Sequence, residues 1–324
     1  MFFILLPTPL LDSAFDSVTI SSIAILLLLS LLSLTFIFHL QIKSRRSHYL
    51  QRFNSLWTVR FLLVSFITFW VLNEHLRFPF FRRRFLYPFP SSLTLSQQAN
   101  LCKIQLVLSL GFFEPGFLVT LLFLVDVSIK KKTPHGCYAT AFVLTSCLPI
   151  LLLQIFFVFF SQMEIHLPEI FLRNSSISKD SDGNEMVVCA YPLLSTIVFG
   201  AFSAVYLLFF LLSFWKVVSI VINKALRKRI RALAFTVMAT VPLQVLFMGL
   251  SVLWRPEKTA FSGAALIVFL TTFVCAAVGE GILVIRPIAD SLAAGGECCG
   301  WSSDMASQSP RPPVAVEDGC AAQP

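Results

Sequence analysis

The sequence predicts an all-α polytopic membrane protein, a bundle of seven transmembrane helices with its N-terminus outside and its C-terminus in the cytoplasm. Three observations predict it. Of the 324 residues, 56% are hydrophobic and only 13% are charged, whereas a water-soluble domain carries roughly 25% charged residues. The charges gather in short clusters between long apolar runs, the pattern of a chain whose solvent is lipid. The chain also holds 34 Phe residues, more than a soluble domain of this size could hide from water. The net charge of +8 accompanies no recognisable nucleic-acid-binding module. It is read as charge that keeps loops on the cytoplasmic side.

A spanning helix needs about 20 largely apolar residues. Seven segments qualify: Ile20–Leu40, Leu56–Leu76, Ile104–Val125, Tyr138–Phe160, Tyr191–Phe214, Ala232–Trp254 and Ala260–Ile285. Helix is expected for each, because lipid offers no partners for backbone N–H and C=O groups. The second is the least apolar, with Arg60 near one end and Asn73, Glu74 and His75 near the other. Residues 1–19 contain Pro7, Pro9, Asp12 and Asp16 and no positive charge before the apolar stretch. They are expected to be a short extracytoplasmic segment rather than a signal peptide. From Arg286 onward the composition shifts to Gly, Ser, Pro and Ala, which predicts a disordered cytoplasmic tail over 286–324.

Lys and Arg orient the bundle. With the N-terminus outside, 15 of them lie on the inner side and nine on the outer, five of the nine in the loop 77–103. Two further features support this orientation. Asn174-Ser175-Ser176 is a glycosylation sequon between spans four and five, and such sites are used on the lumenal side. Of the eight cysteines, only Cys102 and Cys189 fall outside, where a disulfide between them would persist; two free, partly buried thiols are the alternative.

Ionisable residues at bilayer depth carry the functional signal, since each costs several kcal/mol unless it faces the bundle interior. Glu114 lies ten residues into span three, about 15 Å along the helix and so near the midplane. Pro115 follows it; lacking an N–H, it is expected to kink the helix and free backbone acceptors. The pattern suits a polar cavity that takes a ligand, or a Glu hydrogen-bonded to a neighbouring helix. Arg60 and Glu280 both lie a turn or so inside the cytoplasmic ends of spans two and seven, and an inner-leaflet ion pair is expected, with separate snorkelling as the alternative. Pro149 and Pro242 should bend spans four and six; Gln154 and Gln244 are expected to hydrogen-bond across helices or to touch ligand. Glu74 is placed at a pocket mouth or in an interfacial cap.

The five His residues are scattered, with no metal-ligand spacing, and no nucleophile–base set or phosphate loop is present. No metal, no cofactor and no enzymatic activity are expected. In the run from Lys216 to Arg231, residues Lys224, Arg227, Lys228 and Arg231 fall on one face of a helix continuing from span five. That face would fix orientation only, or meet anionic lipid or an acidic cytoplasmic signalling protein. Cys298 and Cys299, beyond span seven, read as S-palmitoylation sites or as free thiols.

The arrangement resembles a seven-span receptor of the G-protein-coupled type. Cys102 stands at the outer end of span three and Cys189 in the second outer loop, span six is bent at Pro242, the third inner loop is basic, and the tail carries paired cysteines. Asp126-Val127-Ser128 stands where the family has an acid-Arg-aromatic triplet, and span seven reads Gly279 to Pro287 in place of Asn-Pro-x-x-Tyr. The chain is also similar to plant seven-span proteins of unassigned function, discussed as receptor candidates. That likeness rests on Phe53-Asn54-Ser55-Leu56-Trp57-Thr58-Val59-Arg60, Asn73-Glu74-His75-Leu76-Arg77 and Leu101-Cys102-Lys103 running to Gly111-Phe112-Phe113-Glu114-Pro115. It implies that Arg60, Glu74, Cys102 and Glu114 matter to the structure; it supplies no ligand.

The function expected is that of a receptor-like membrane protein with a small-ligand site around Glu114. A small-solute transporter or channel, and a non-catalytic scaffold, are the alternatives.

Overall fold

In the computed structural model the described residues are 8–44, 56–76, 94–127, 136–160, 175–179, 185–221, 224–254 and 259–291. Asn174, Cys298, Cys299, most of the outer loop 77–103 and the tail beyond 291 lie outside them. Seven helices and one hairpin are described. The helices are α1 (Thr8–Ser44), α2 (Trp57–His75), α3 (Leu95–Val127), α4 (Gly136–Ile155, continued by Phe156–Phe160), α5 (Leu193–Ile220), α6 (Lys224–Leu253) and α7 (Thr259–Glu280, continued to Ser291). Six are long and apolar enough to cross a membrane. The exception is α2, 19 residues long, whose apolar stretch is interrupted by Arg60, Asn73 and Glu74.

The packing follows the chain. Each helix lies against the next, α7 closes back on α1, and α3 runs through the middle, touching α2, α4 and α5. The core is Leu, Val, Ile and Phe from all these helices. Large apolar side chains also cover the outside: Leu28, Leu31, Leu208, Trp215 and Phe235 are all exposed. In water such a surface would aggregate; in lipid tails, as apolar as Leu itself, it is solvated. The molecule is an integral membrane protein of helical-bundle type.

Several helix boundaries differ from the sequence expectation, and α3 starts at Leu95 rather than Ile104. α1 starts at Thr8 rather than Ile20, so Asp12 and Asp16 are helical; hydrogen bonding within the helix does not stop where hydrocarbon stops. α7 continues past Ile285 to Ser291. The basic run does not continue α5, which ends at Ile220. Val221 is extended (φ −74°, ψ 112°), and Lys224 begins α6.

Proline explains two irregular turns. The segments Ser109–Phe113 in α3 and Gly281–Ile285 in α7 are π-helical, each five residues long. In each, a proline stands two residues beyond the segment, Pro115 or Pro287. The residue before the proline donates its N–H five positions back, Glu114 to Ser109 O and Arg286 to Gly281 O. A proline inside an α-helix lacks its N–H and drives its ring at the carbonyl four residues earlier. The wider π turn accommodates it, and such turns frequently accompany functional sites. The interruption expected at Pro115 is therefore a π turn. Pro149 and Pro242 sit within continuous α-helix.

The hairpin pairs β1 (Ser175–Lys179) with β2 (Glu185–Cys189), antiparallel, with Ser175 opposite Cys189. Cys189 is disulfide-bonded to Cys102 in α3, Cα–Cα 5.4 Å. The Val187 N–H also donates to Gln98 Oε1 at 3.3 Å. α3 begins at a capping box in which Thr94 and Gln97 satisfy each other's backbone N–H.

Candidate functional site

Glu114 is the centre of a buried polar network. It leaves the π turn of α3 and is 5% exposed. Trp70 Nε1 of α2 donates to its Oε1 at 3.1 Å, and Gln244 Nε2 of α6 donates to its Oε2 at 2.6 Å. The Ser109 hydroxyl lies 3.1 Å from Glu114 Oε1 and 2.8 Å from Glu74 Oε1 of α2. Gln105 Nε2 donates to the same Glu74 oxygen at 3.0 Å, and Asn73 Nδ2 donates to Gln105 O at 3.0 Å. Glu74 is thus buried inside the bundle, at 5% exposure, rather than at a pocket mouth.

The spacing has a local cause. Ser109 and Glu114 are the first residue of the π segment and the residue after it, joined by the i to i+5 backbone bond. An α-helical turn would set positions five apart on different faces. The π turn brings both side chains to α2. One hydroxyl proton serves only one acceptor at a time, so Ser109 donates to one of the two carboxyl groups and not to both at once.

Packing fixes the rest. Trp70 stacks on Phe269 of α7, centroids 5.6 Å apart and planes 15° from parallel. At Gly116, two residues beyond Glu114, an added Cβ would overlap the Phe66 ring of α2, so only glycine lets the two helices approach this closely. Beside Glu114 and Gln244 is a cavity of about 10 Å³, also bordered by Thr272 and Cys275, which is room for about one water molecule.

Other expected residues lie elsewhere. Gln154 of α4 bonds to Ser195 of α5: its Nε2 donates to Ser195 O at 3.1 Å and its Oε1 accepts from the Ser195 hydroxyl. It ties two helices and is not part of the Glu114 network. The expected Arg60–Glu280 pair is not formed. Glu280 Oε2 accepts instead from Ser30 of α1 at 3.3 Å, and Arg60 Nε and Nη1 have no hydrogen-bond partner among the described residues. The reason is depth. α7 runs to Ser291, which places Glu280 roughly 16 Å above its end, while Arg60 lies only about 4.5 Å inside α2. α1 also packs against both α2 and α7, which touch little directly.

Of the basic face, Lys224, Lys228 and Arg231 are exposed. Arg227 turns back, donating through Nε to Val221 O at 3.0 Å, and so caps α5. The adjacent Arg229 binds Asp290 of α7 at 2.6 Å. Among the described residues no group of three His, Cys, Asp or Glu could hold a metal.

Sequence reasoning marked Glu114, Glu74 and Gln244 but missed Ser109, Gln105 and Trp70. Two small signals existed: Ser109 and Gln105 are polar residues within an apolar run, at one helical turn from each other.

Fold and site together define a multi-span helical membrane protein organised around an intramembrane polar network. The chain belongs to the family described as uncharacterised conserved protein UCP031277, whose model matches residues 6–298. No curated protein matches it.

Proposed function

We propose that this is a seven-span, receptor-like membrane protein in which the Glu114 network is the lock between resting and signalling states. All seven helices cross, with the N-terminus outside and the Asn174 loop in the lumen or exterior. α2 counts as the seventh span because its polar residues face the bundle: Arg60, Asn73 and Glu74 are all buried.

The observation that carries this reading is the hydrogen bond from Gln244 to Glu114. It joins α6, whose inner end presents Lys224, Lys228 and Arg231, to the π turn of α3. A buried polar network with a small set of alternative partners is a bistable element. Moving the Gln244 bond would release α6 and displace its basic end from anionic headgroups, worth about 1 kcal/mol per residue, or towards an acidic signalling protein. A cavity the size of one water suits a lock better than a solute passage, so transport is the second reading and a scaffold the third. Catalysis has no place in the proposal, and glycosylation of Asn174 and acylation of Cys298 and Cys299 remain parts of it to be tested.

A fluorophore at position 224, read in nanodiscs, tests the lock. Glu114→Gln and Gln244→Leu should each shift its emission while leaving liposomes tight to small solutes. An unmoved inner end of α6 in both variants sinks the receptor reading; solute flux that Glu114→Gln abolishes replaces it with transport. Endoglycosidase sensitivity of the wild type, lost in Asn174→Gln, tests the orientation.

A further inference from the structure

A third buried carboxylate lies away from the lock. Glu280 is fully buried where α7 meets α1, as are Ser30 and Ser33, one turn apart on α1. Ser30 Oγ lies 3.3 Å from Glu280 Oε2; Glu280 Oε1 and Ser33 Oγ have no hydrogen-bond partner among the described residues. Hydroxyls within a helix ordinarily donate to the carbonyl four residues back, and Thr19, Ser22 and Thr35 of the same helix do so. Ser30 and Ser33 do not, so this seam holds oxygens directed away from their own helix. A buried carboxylate whose neighbours on α1 are two hydroxyls, Ser30 at 3.3 Å and Ser33, leaves most of its charge unanswered.

We propose that Glu280, Ser30 and Ser33 form a monovalent cation site, with sodium as its ion. Hard cations take oxygen ligands of this kind. An oxygen–oxygen edge of 3.3 Å belongs to an octahedral shell with ion–oxygen distances of about 2.3 Å, the range of Ca²⁺, and sodium has nearly the same radius. The charge selects between them. One carboxylate neutralises one positive charge, and a divalent ion would leave a net charge inside the membrane. The site lies at the junction of α-helix and π turn, at Glu280 and Gly281. It shares no residue with the Glu114 network, and the two proposals stand or fall separately.

The test is thermal unfolding of the purified full-length protein in sodium chloride against choline chloride at equal ionic strength. Sodium should raise the Tm of the wild type by a few degrees and saturate, as binding to the folded state alone requires. Glu280→Gln should abolish the difference. Ser33→Ala should raise the half-saturating sodium concentration roughly tenfold, the worth of one hydrogen-bond-strength contact to a charged group; it also serves if Glu280→Gln does not fold. An equal sodium response in wild type and both variants overturns the site. A Tm that follows pH and is indifferent to sodium also overturns it, making Glu280 a neutral acid.

Discussion

Both α3 and α7 carry a buried carboxylate, Glu114 or Glu280, beside a five-residue π turn two residues before a proline, yet these two carboxylates are treated in opposite ways. Glu114 follows its π turn and receives donors from α2, α3 and α6. Glu280 precedes its π turn and has two hydroxyls of α1 beside it, Ser30 at 3.3 Å and Ser33. The same backbone device therefore serves two ends. In α3 it aims two side chains five positions apart at one neighbour and saturates the acid. In α7 it lies beyond the acid and leaves an oxygen unclaimed. Glu114 is saturated with donors, whereas one oxygen of Glu280 has no hydrogen-bond partner among the described residues.

The contrast has measurable consequences. Glu114→Ala would strand the Trp70 and Gln244 donors, each buried; at about 1–3 kcal/mol per unsatisfied group, the loss should reach roughly 3–4 kcal/mol, read by thermal unfolding in detergent. An unfolding temperature unchanged by this substitution would mean the donors have other partners. Cys189→Ser should cost about 2–3 kcal/mol by freeing the loop it closes, an effect the wild type should reproduce when a reductant is added. Gly116→Ala should cost about 1–2 kcal/mol, because the Phe66 ring must move, whereas Gly281→Ala should be close to neutral. Glu280→Ala in choline should also be mild, below about 1 kcal/mol, since Ser30 can turn to its own helix carbonyl. A larger loss there would show that Glu280 holds α1 to α7 by itself, and the comparison would fail.

The membrane class and six of the spans were legible because lipid demands long apolar helices and nothing else in a sequence looks like them. Glu114 was legible as a charge in the wrong solvent. Its pairings were not: Trp70 and Gln244 lie 44 and 130 positions away, and no periodicity links either to Glu114. Pro115 announced an irregularity but not its form, since a kink and a π turn answer the same missing N–H. The mispairing of Arg60 with Glu280 came from ending α7 at the last apolar residue. Arg286 and Pro287 looked like a terminus, but the π turn carries the helix through them, and six more residues changed the depth of Glu280. The basic face suffered a related error, because Val217–Ile220 reads as an apolar continuation and only the backbone of Val221 shows the break.

The hairpin has a mechanical consequence. β2 is fastened to α3 covalently through Cys189 and again through Gln98, so the strands and the first turns of that helix form one body. Cys102 stands seven residues, about 10 Å, above Ser109. The hairpin is thus tied covalently to the same continuous helix that carries the π turn and Glu114.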